Sequence, residues 1–275
     1  MPGILAHMTA AATLVVLVAQ AQAADGWVNG NNSRIRLIAA PVKGADGATH
    51  LMAGVEIEMQ PGWKTYWRSP GEAGGVPPEF DWKKSTNLSA ATVLFPAPSR
   101  FADPAGDSIG YKHSVLFPVT LVAADASKPL ALSVLVNFGV CARICIPEEH
   151  ELALAADPAD AANADRIGRA LALVPVPAAA AGKDTPQFAG LKRDGASLVI
   201  DTQFPPGTSD PQVFAEALDS SYVPMANRIA DTGDGHSRFR IDLSKSDDFK
   251  SPAGKMLRLT LAGDDIAGEV TAAIP

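Results

Sequence analysis

Cysteine is scarce in this chain, with two residues in 275, Cys141 and Cys145. Basic charge is also short: 23 Lys and Arg stand against 30 Asp and Glu, for a net charge of -7 at pH 7. That balance leaves no basic footprint for DNA or RNA. No apolar stretch reaches the about 20 residues that a membrane-spanning helix needs. The mature chain is therefore expected to be soluble, with no transmembrane segment. Internal repeats are missing, and the 23 glycines and 22 prolines are scattered as punctuation.

What is there suits a globular protein. Hydrophobic residues make up 47% of the chain, enough to bury real cores, and a mature length of about 250 residues suggests two domains. Residues 1–23 read as a secretory signal peptide. Their apolar core over 8–18 ends at Ala21-Gln22-Ala23, a small-polar-small cleavage pattern that leaves Ala24 as the first mature residue. The segment before that core is atypical, since only His7 and the terminal amine can carry positive charge. Export places the chain in an oxidising compartment, where disulfides persist.

The first half alternates like strands. Ile35 and Leu37 share one face. Leu51, Ala53, Val55, Ile57 and Met59 alternate with Met52, Gly54, Glu56, Glu58 and Gln60, a period of two with a polar outer face. Val115, Phe117, Val119 and Leu121 repeat the pattern, and Pro118 suggests an edge strand or a bulge. Residues 130–138 read as a central strand that leads into the cysteines. Many short strands with turns between them indicate an antiparallel sandwich. Asp157 and Pro158 then start a helix in which Ile167, Ala170, Leu171 and Val174 fall at helical spacing. An extended Pro/Ala-rich linker follows over 174–186. Segments 197–202, 212–218, 237–243 and 256–261 suggest a second, smaller β-domain. It has no cysteine and one histidine, His236, and reads as a structural or docking module.

The chemistry concentrates at residues 136–151, VNFGVCARICIPEEHE. A turn or short hairpin can bring Cys141 and Cys145 within disulfide reach. As a structural staple the bridge contributes roughly 2 kcal/mol, against about 4.7 kcal/mol for a loop of 100 residues. A short bridge is easily strained and more readily reduced, which favours reversible redox use. Arg143, between the sulfurs, is placed to stabilise a thiolate; Glu148 and Glu149 act against it. A third reading is metal binding by Cys141, Cys145 and His150, two thiolates and an imidazole suited to Cu(I) or zinc. Structural zinc usually takes four ligands, and His150, beyond Pro147, reads more simply as a surface residue.

Four segments carry a resemblance: GWKTYWRSPGEAGG (62–75), FPAPSRF (95–101), GYKHSVLFPV (110–119) and GVCARICIPEE (139–149). Together they resemble the N-terminal periplasmic domain of the DsbD thiol:disulfide interchange proteins. The C-x3-C spacing with Ile-Pro after the second cysteine is closer to the ScsB branch, which is linked to copper tolerance. The resemblance runs over about 35–154. It implies an all-β chain of two immunoglobulin-like β-sandwich domains, joined by a short helix and linker. The boundaries expected are 24–156 for the first domain, 157–186 for helix and linker, and 187–275 for the second.

The resemblance further implies a periplasmic domain that takes electrons from a membrane-embedded donor and passes them to thioredoxin-fold proteins, with no cofactor. The transmembrane relay and thioredoxin-like domain of the full-length family are not in this sequence, so the donor is expected on a separate chain. Cys141 and Cys145 match the redox pair, and Cys145 corresponds to the sulfur that joins partners. Phe101, in the 101–107 loop FADPAGD, falls at the place of an aromatic cap, although the loop departs from the family's acidic-aromatic sequence. Trp63, Tyr66 and Tyr111 match supporting aromatic positions, and sandwich core is the other reading for each.

Overall fold

The computed structural model describes residues 26–44, 47–103, 106–155, 161–233 and 235–275. Residues 1–23, Asp157, Pro158 and Pro104 lie outside the described residues, and with them the expected signal peptide and the expected helix start. The first sandwich takes strands β1 (Val28–Asn29), β2 (Ser33–Lys43), β3 (Thr49–Met59), β4 (Lys64–Gly71) and β5 (Glu79–Asp81). It continues with β6 (Leu88–Val93), β7 (Ser99–Phe101), β8 (Ser108–Lys112), β9 (Ser114–Ala123), β10 (Ala131–Cys141) and β11 (Cys145–Ala155). One sheet runs β1-β2-β3-β9-β6 and the facing sheet β11-β10-β4-β8-β7, with β5 also on β10. Ile35, Val55, Ile57 and Phe117 of the first sheet meet Trp67, Val134, Val136 and Phe138 of the second in one core.

Two expectations are corrected here. The outer face of β3 was expected to meet solvent, yet Met52 and Glu56 are buried. Helix α1 (Ala161–Ala172) covers that face and inserts Ile167 among Ile38, Ala40, Val42 and Met52. Gly54 leaves the room: a Cβ there would stand 3.3 Å from Ile167 and 2.8 Å from Leu116. Glu56 answers Arg36 at 2.5 Å and Arg166 of the helix at 3.4 Å, so its charge is compensated under the cover. The second correction concerns Pro118. It sits in β9, inside the sheet between β3 and β6. It is tolerated because β6 ends at Val93, and only the Pro118 carbonyl is engaged beyond it, by the Leu94 N–H at 2.7 Å.

The second sandwich takes β12 (Val176–Pro177), β13 (Gln187–Asp194), β14 (Ser197–Gln203), β15 (Gln212–Ala217), β16 (Asn227–Gly233), β17 (His236–Asp242), β18 (Met256–Gly263) and β19 (Ile266–Ala273). Its sheets run β12-β19-β18-β15 and β13-β14-β17-β16. The segment expected to be an extended linker is partly built into this unit, since β12 pairs in parallel with β19. The two sandwiches share packing. Trp67 meets Phe214 with ring centroids 5.8 Å apart, and Met225, Ala262 and Ala267 join the first core. Beside them Arg68 reaches Glu216 at 2.7 Å and Glu269 at 2.5 Å.

Candidate functional site

The cysteines close one hairpin. β10 and β11 pair without a register shift from Ala131 opposite Ala155 to Cys141 opposite Cys145. Ala142, Arg143 and Ile144 make the turn, which is closed by the Ala142 N–H on the Ile144 carbonyl at 3.0 Å. Directly opposed residues in an antiparallel pair sit about 4.5 Å apart at the narrow positions. Here the Cα atoms are 4.1 Å apart and the sulfurs are bonded. Sequence separation alone did not decide this; the register did.

Alternation sorts the hairpin into two faces. Leu132, Val134, Val136, Phe138 and Val140 fill the core from one face. The disulfide lies on the other, in a row with Lys64, which pairs with Cys141, and Lys112, which pairs with Lys64. The two sulfurs are not equivalent. Cys141 is 1% exposed, whereas Cys145 is exposed at the hairpin end. Ile144, next to Cys145, is 67% exposed, and Arg143 is exposed in the turn.

Tyr66 approaches the exposed sulfur from β4. Its hydroxyl lies 3.1 Å from the Cys145 Sγ and, with the sulfur in a disulfide, it is the donor. Burial, and then the charge of Asp103, hold the phenol above its usual pKa, so it stays protonated at neutral pH. Its ring is covered by backbone. A Cβ on Gly75 would come within 2.3 Å of the Tyr66 ring, so only glycine fits there. The Val76 carbonyl accepts the Gly139 N–H at 3.0 Å, and Thr65 donates its hydroxyl to the Gly139 carbonyl at 2.9 Å.

A polar cluster lies under the next strand. Lys64 is buried, pairs with Asp103 and donates to the Ser108 Oγ at 2.9 Å. Burial alone would raise the Asp103 carboxyl, but the hydrogen bonds from Lys64 and Ser108 outweigh it and hold it low. Phe101 sits at the end of β7 with the Lys112 ammonium 4.4 Å and the Lys64 ammonium 5.9 Å from its ring centre. The group brought to the sulfur is Tyr66, and the contacts of Phe101 are with the neighbouring lysines. Tyr111 is a core residue. It packs edge-on against Phe117 at 5.5 Å and donates its hydroxyl to the Pro96 carbonyl at 2.8 Å, and burial pushes its pKa well up. Trp63 is partly buried against the same core.

Three sequence expectations are corrected by the faces. His150 pairs with Val136 on the core face, so it points away from the sulfurs and is not a surface residue. The three-ligand metal set Cys141, Cys145 and His150 is therefore not assembled. The described residues contain no group of three or more His, Cys, Asp or Glu suited to a metal ion. Glu148 also turns to the core face, so it does not oppose Arg143 at the sulfurs. Its carboxylate accepts from the Ser33 hydroxyl at 2.5 Å, the Asn31 N–H at 3.1 Å and His150 at 3.1 Å. Burial would raise this group too, yet the bonds from Ser33, His150 and the Asn32 amide hold it below the usual range.

The Tyr66 contact predicts a measurable shift. In the reduced protein a hydroxyl aimed at Cys145 favours the thiolate, and hydrogen bonds to charged groups contribute about 1.5–3 kcal/mol. Tyr66→Phe keeps the ring under Gly75 and removes the donor. Alkylation of the reduced protein as a function of pH should show the Cys145 midpoint rising by about one to two pH units. An unchanged midpoint would mean that the hydroxyl does not act on the thiolate.

A β-sandwich that holds its lone disulfide at a hairpin end, with one sulfur exposed and the other covered, has the arrangement of a thiol:disulfide interchange domain. The family model described as "Thiol:disulfide interchange protein DsbD, N-terminal" matches residues 39–157. The match lies over the first sandwich, less than half of the chain, and there it supports a likeness to the DsbD N-terminal family. Among solved structures, the N-terminal periplasmic domain of ScsB from Proteus mirabilis is similar, with a TM-score of 0.72 and 25% identity. That alignment covers 90% of this chain and 97% of the other, so it includes both sandwiches. Bovine butyrophilin aligns at 13% identity over 88% of this chain and 99% of its own, but the TM-score of 0.21 gives no basis for comparison. No curated protein matches the chain. No helix among the described residues is long and apolar enough to cross a membrane.

Proposed function

We propose that the chain is a periplasmic thiol:disulfide exchange protein, a disulfide reductase or electron relay that works through Cys141 and Cys145 on thioredoxin-fold partners. The asymmetry of the pair carries this reading: Cys145 is exposed beside the Tyr66 hydroxyl, and Cys141 is buried. An incoming sulfur has one point of entry. The match of residues 39–157 to the DsbD N-terminal family model and the periplasmic origin of the solved relative support the compartment and the partner class.

The steps follow thiolate exchange. In the reduced form the Cys145 thiolate attacks one sulfur of the partner's disulfide. A Cys145–partner disulfide forms, and the partner's other sulfur leaves as a thiolate. The Cys141 thiolate then attacks the Cys145 sulfur, closing the Cys141–Cys145 bond and releasing the partner's second thiolate. Two electrons reach the partner, and its thiolates take up two protons equivalent to those lost by the cysteine thiols. A membrane-embedded dithiol donor on a separate chain resets the pair: one donor thiolate attacks Cys145, Cys141 leaves, and the second donor thiolate frees Cys145. No other group is needed for the electron balance.

Mixing the reduced protein with an oxidised thioredoxin-fold protein tests the reading. One partner disulfide should be reduced for each Cys141–Cys145 bond formed. Failure to transfer, with the cysteines reduced and the fold intact, would contradict it.

A further inference from the structure

The second sandwich touches β4, the strand that carries Tyr66, and β7 at the edge of the same sheet. Arg100, on β7, donates its Nε to Asp107 at 2.5 Å, its Nη1 to the Ala226 carbonyl at 3.2 Å and its Nη2 to the Asn227 side chain at 3.0 Å. One guanidinium thus ties the first sandwich to the second. Asp107 passes the contact on, because its carbonyl accepts the Ala73 N–H at 3.2 Å. Gly71 approaches the same carbonyl so closely that a Cβ would stand 2.6 Å from it. Two residues after Ala73, Gly75 lies on the Tyr66 ring, and the Tyr66 hydroxyl meets the Cys145 sulfur. Arg68, two residues after Tyr66 on the same strand, is held by Glu216 and Glu269 of the second sandwich.

We propose that the second sandwich is a brace for the redox site, and that Arg100 is the positioning residue through which it holds the 71–75 segment over Tyr66. Arg100 touches neither sulfur. It acts on how often that segment leaves Tyr66 and widens the access of a small thiol beyond the Cys145 sulfur that is already exposed. The geometry suits this, because a planar fork with several donors can satisfy a carboxylate and two amide oxygens together, which a single ammonium cannot. Segments held by a few polar contacts open more readily than packed strands, so losing one anchor changes local opening more than global stability. The idea rests on the exchange reading for its redox consequence, while the brace itself has a readout that does not depend on exchange.

The test compares the full chain with Arg100→Ala and Asn227→Ala. Hydrogen exchange of the Ala73 amide reports the segment, and reduction by dithiothreitol reports access to the sulfurs. In Arg100→Ala both rates should rise about tenfold, the scale expected when local opening loses a charge-assisted hydrogen bond. Asn227→Ala, which removes one of the two Arg100 bonds to the second sandwich and leaves those to the Ala226 carbonyl and to Asp107, should raise both by a smaller factor with the melting temperature unchanged. It keeps the proposal testable if Arg100→Ala folds poorly. Unchanged Ala73 exchange in both variants would overturn the brace. Faster Ala73 exchange with unchanged reduction would overturn its control of access. If the native disulfide resists reduction in the folded parent chain, the exchange reading fails, and Ala73 exchange alone then decides whether the brace exists.

Discussion

Cys145→Ser is expected to abolish exchange with a thioredoxin-fold partner, and Cys141→Ser to stop it half-way. The difference comes from burial, since Cys145 is exposed and Cys141 is covered. With Cys145 replaced, the remaining thiol is buried, and transfer should fall by on the order of a thousandfold or more, as when a nucleophile is removed. With Cys141 replaced, Cys145 still attacks, but nothing resolves the product. A mixed disulfide through Cys145 should then accumulate, visible as a covalent complex that a reductant dissolves. Equal trapping by the two variants would show that the sulfurs are interchangeable and that the exposure difference does not direct attack.

Trp67→Ala is expected to give the largest loss of stability. Trp67 is fully buried in the first core and packs against Phe214 of the second sandwich with the rings tilted by 56°. Removing it opens a cavity where the two units meet, at a cost of about 3–5 kcal/mol. Its indole N–H has no hydrogen-bond partner among the described residues. Trp67→Phe would keep an apolar ring in the gap and remove that buried donor, so it should cost clearly less than Trp67→Ala. Chemical denaturation of the three proteins checks this. Equal costs for Ala and Phe would mean that the indole is held by something other than packing.

Much of the first sandwich was legible because a period of two survives in β2, β3, β9 and β10. The cysteine pair was legible because the chain has no other thiols. Other features needed the third dimension. Glu56 looks like a solvent residue until α1 is laid across it, and the hint was the apolar stripe through Ile167, which needs a surface to cover. Glu148 and His150 were misplaced for a simpler reason. They lie three and five residues after Cys145, odd offsets on one strand, so parity alone sends them to the other face. Nothing in the sequence pairs Lys64 with Asp103 across 39 residues. Tyr66 entered through the family motif, and only the fold shows that its hydroxyl, with Gly75 over its ring, stands at the sulfur.

The central claim is that Cys141 and Cys145 form a bond made to be opened in the native protein. The most direct measurement is equilibration in graded glutathione or dithiothreitol buffers, with thermal melts of the oxidised and reduced forms. A loop this short contributes roughly 2 kcal/mol by the chain-entropy estimate, so the reduced form should stay folded and melt only modestly lower. The pair should cycle reversibly at a defined potential. A disulfide that yields only when the protein unfolds would be a staple, and would contradict the account.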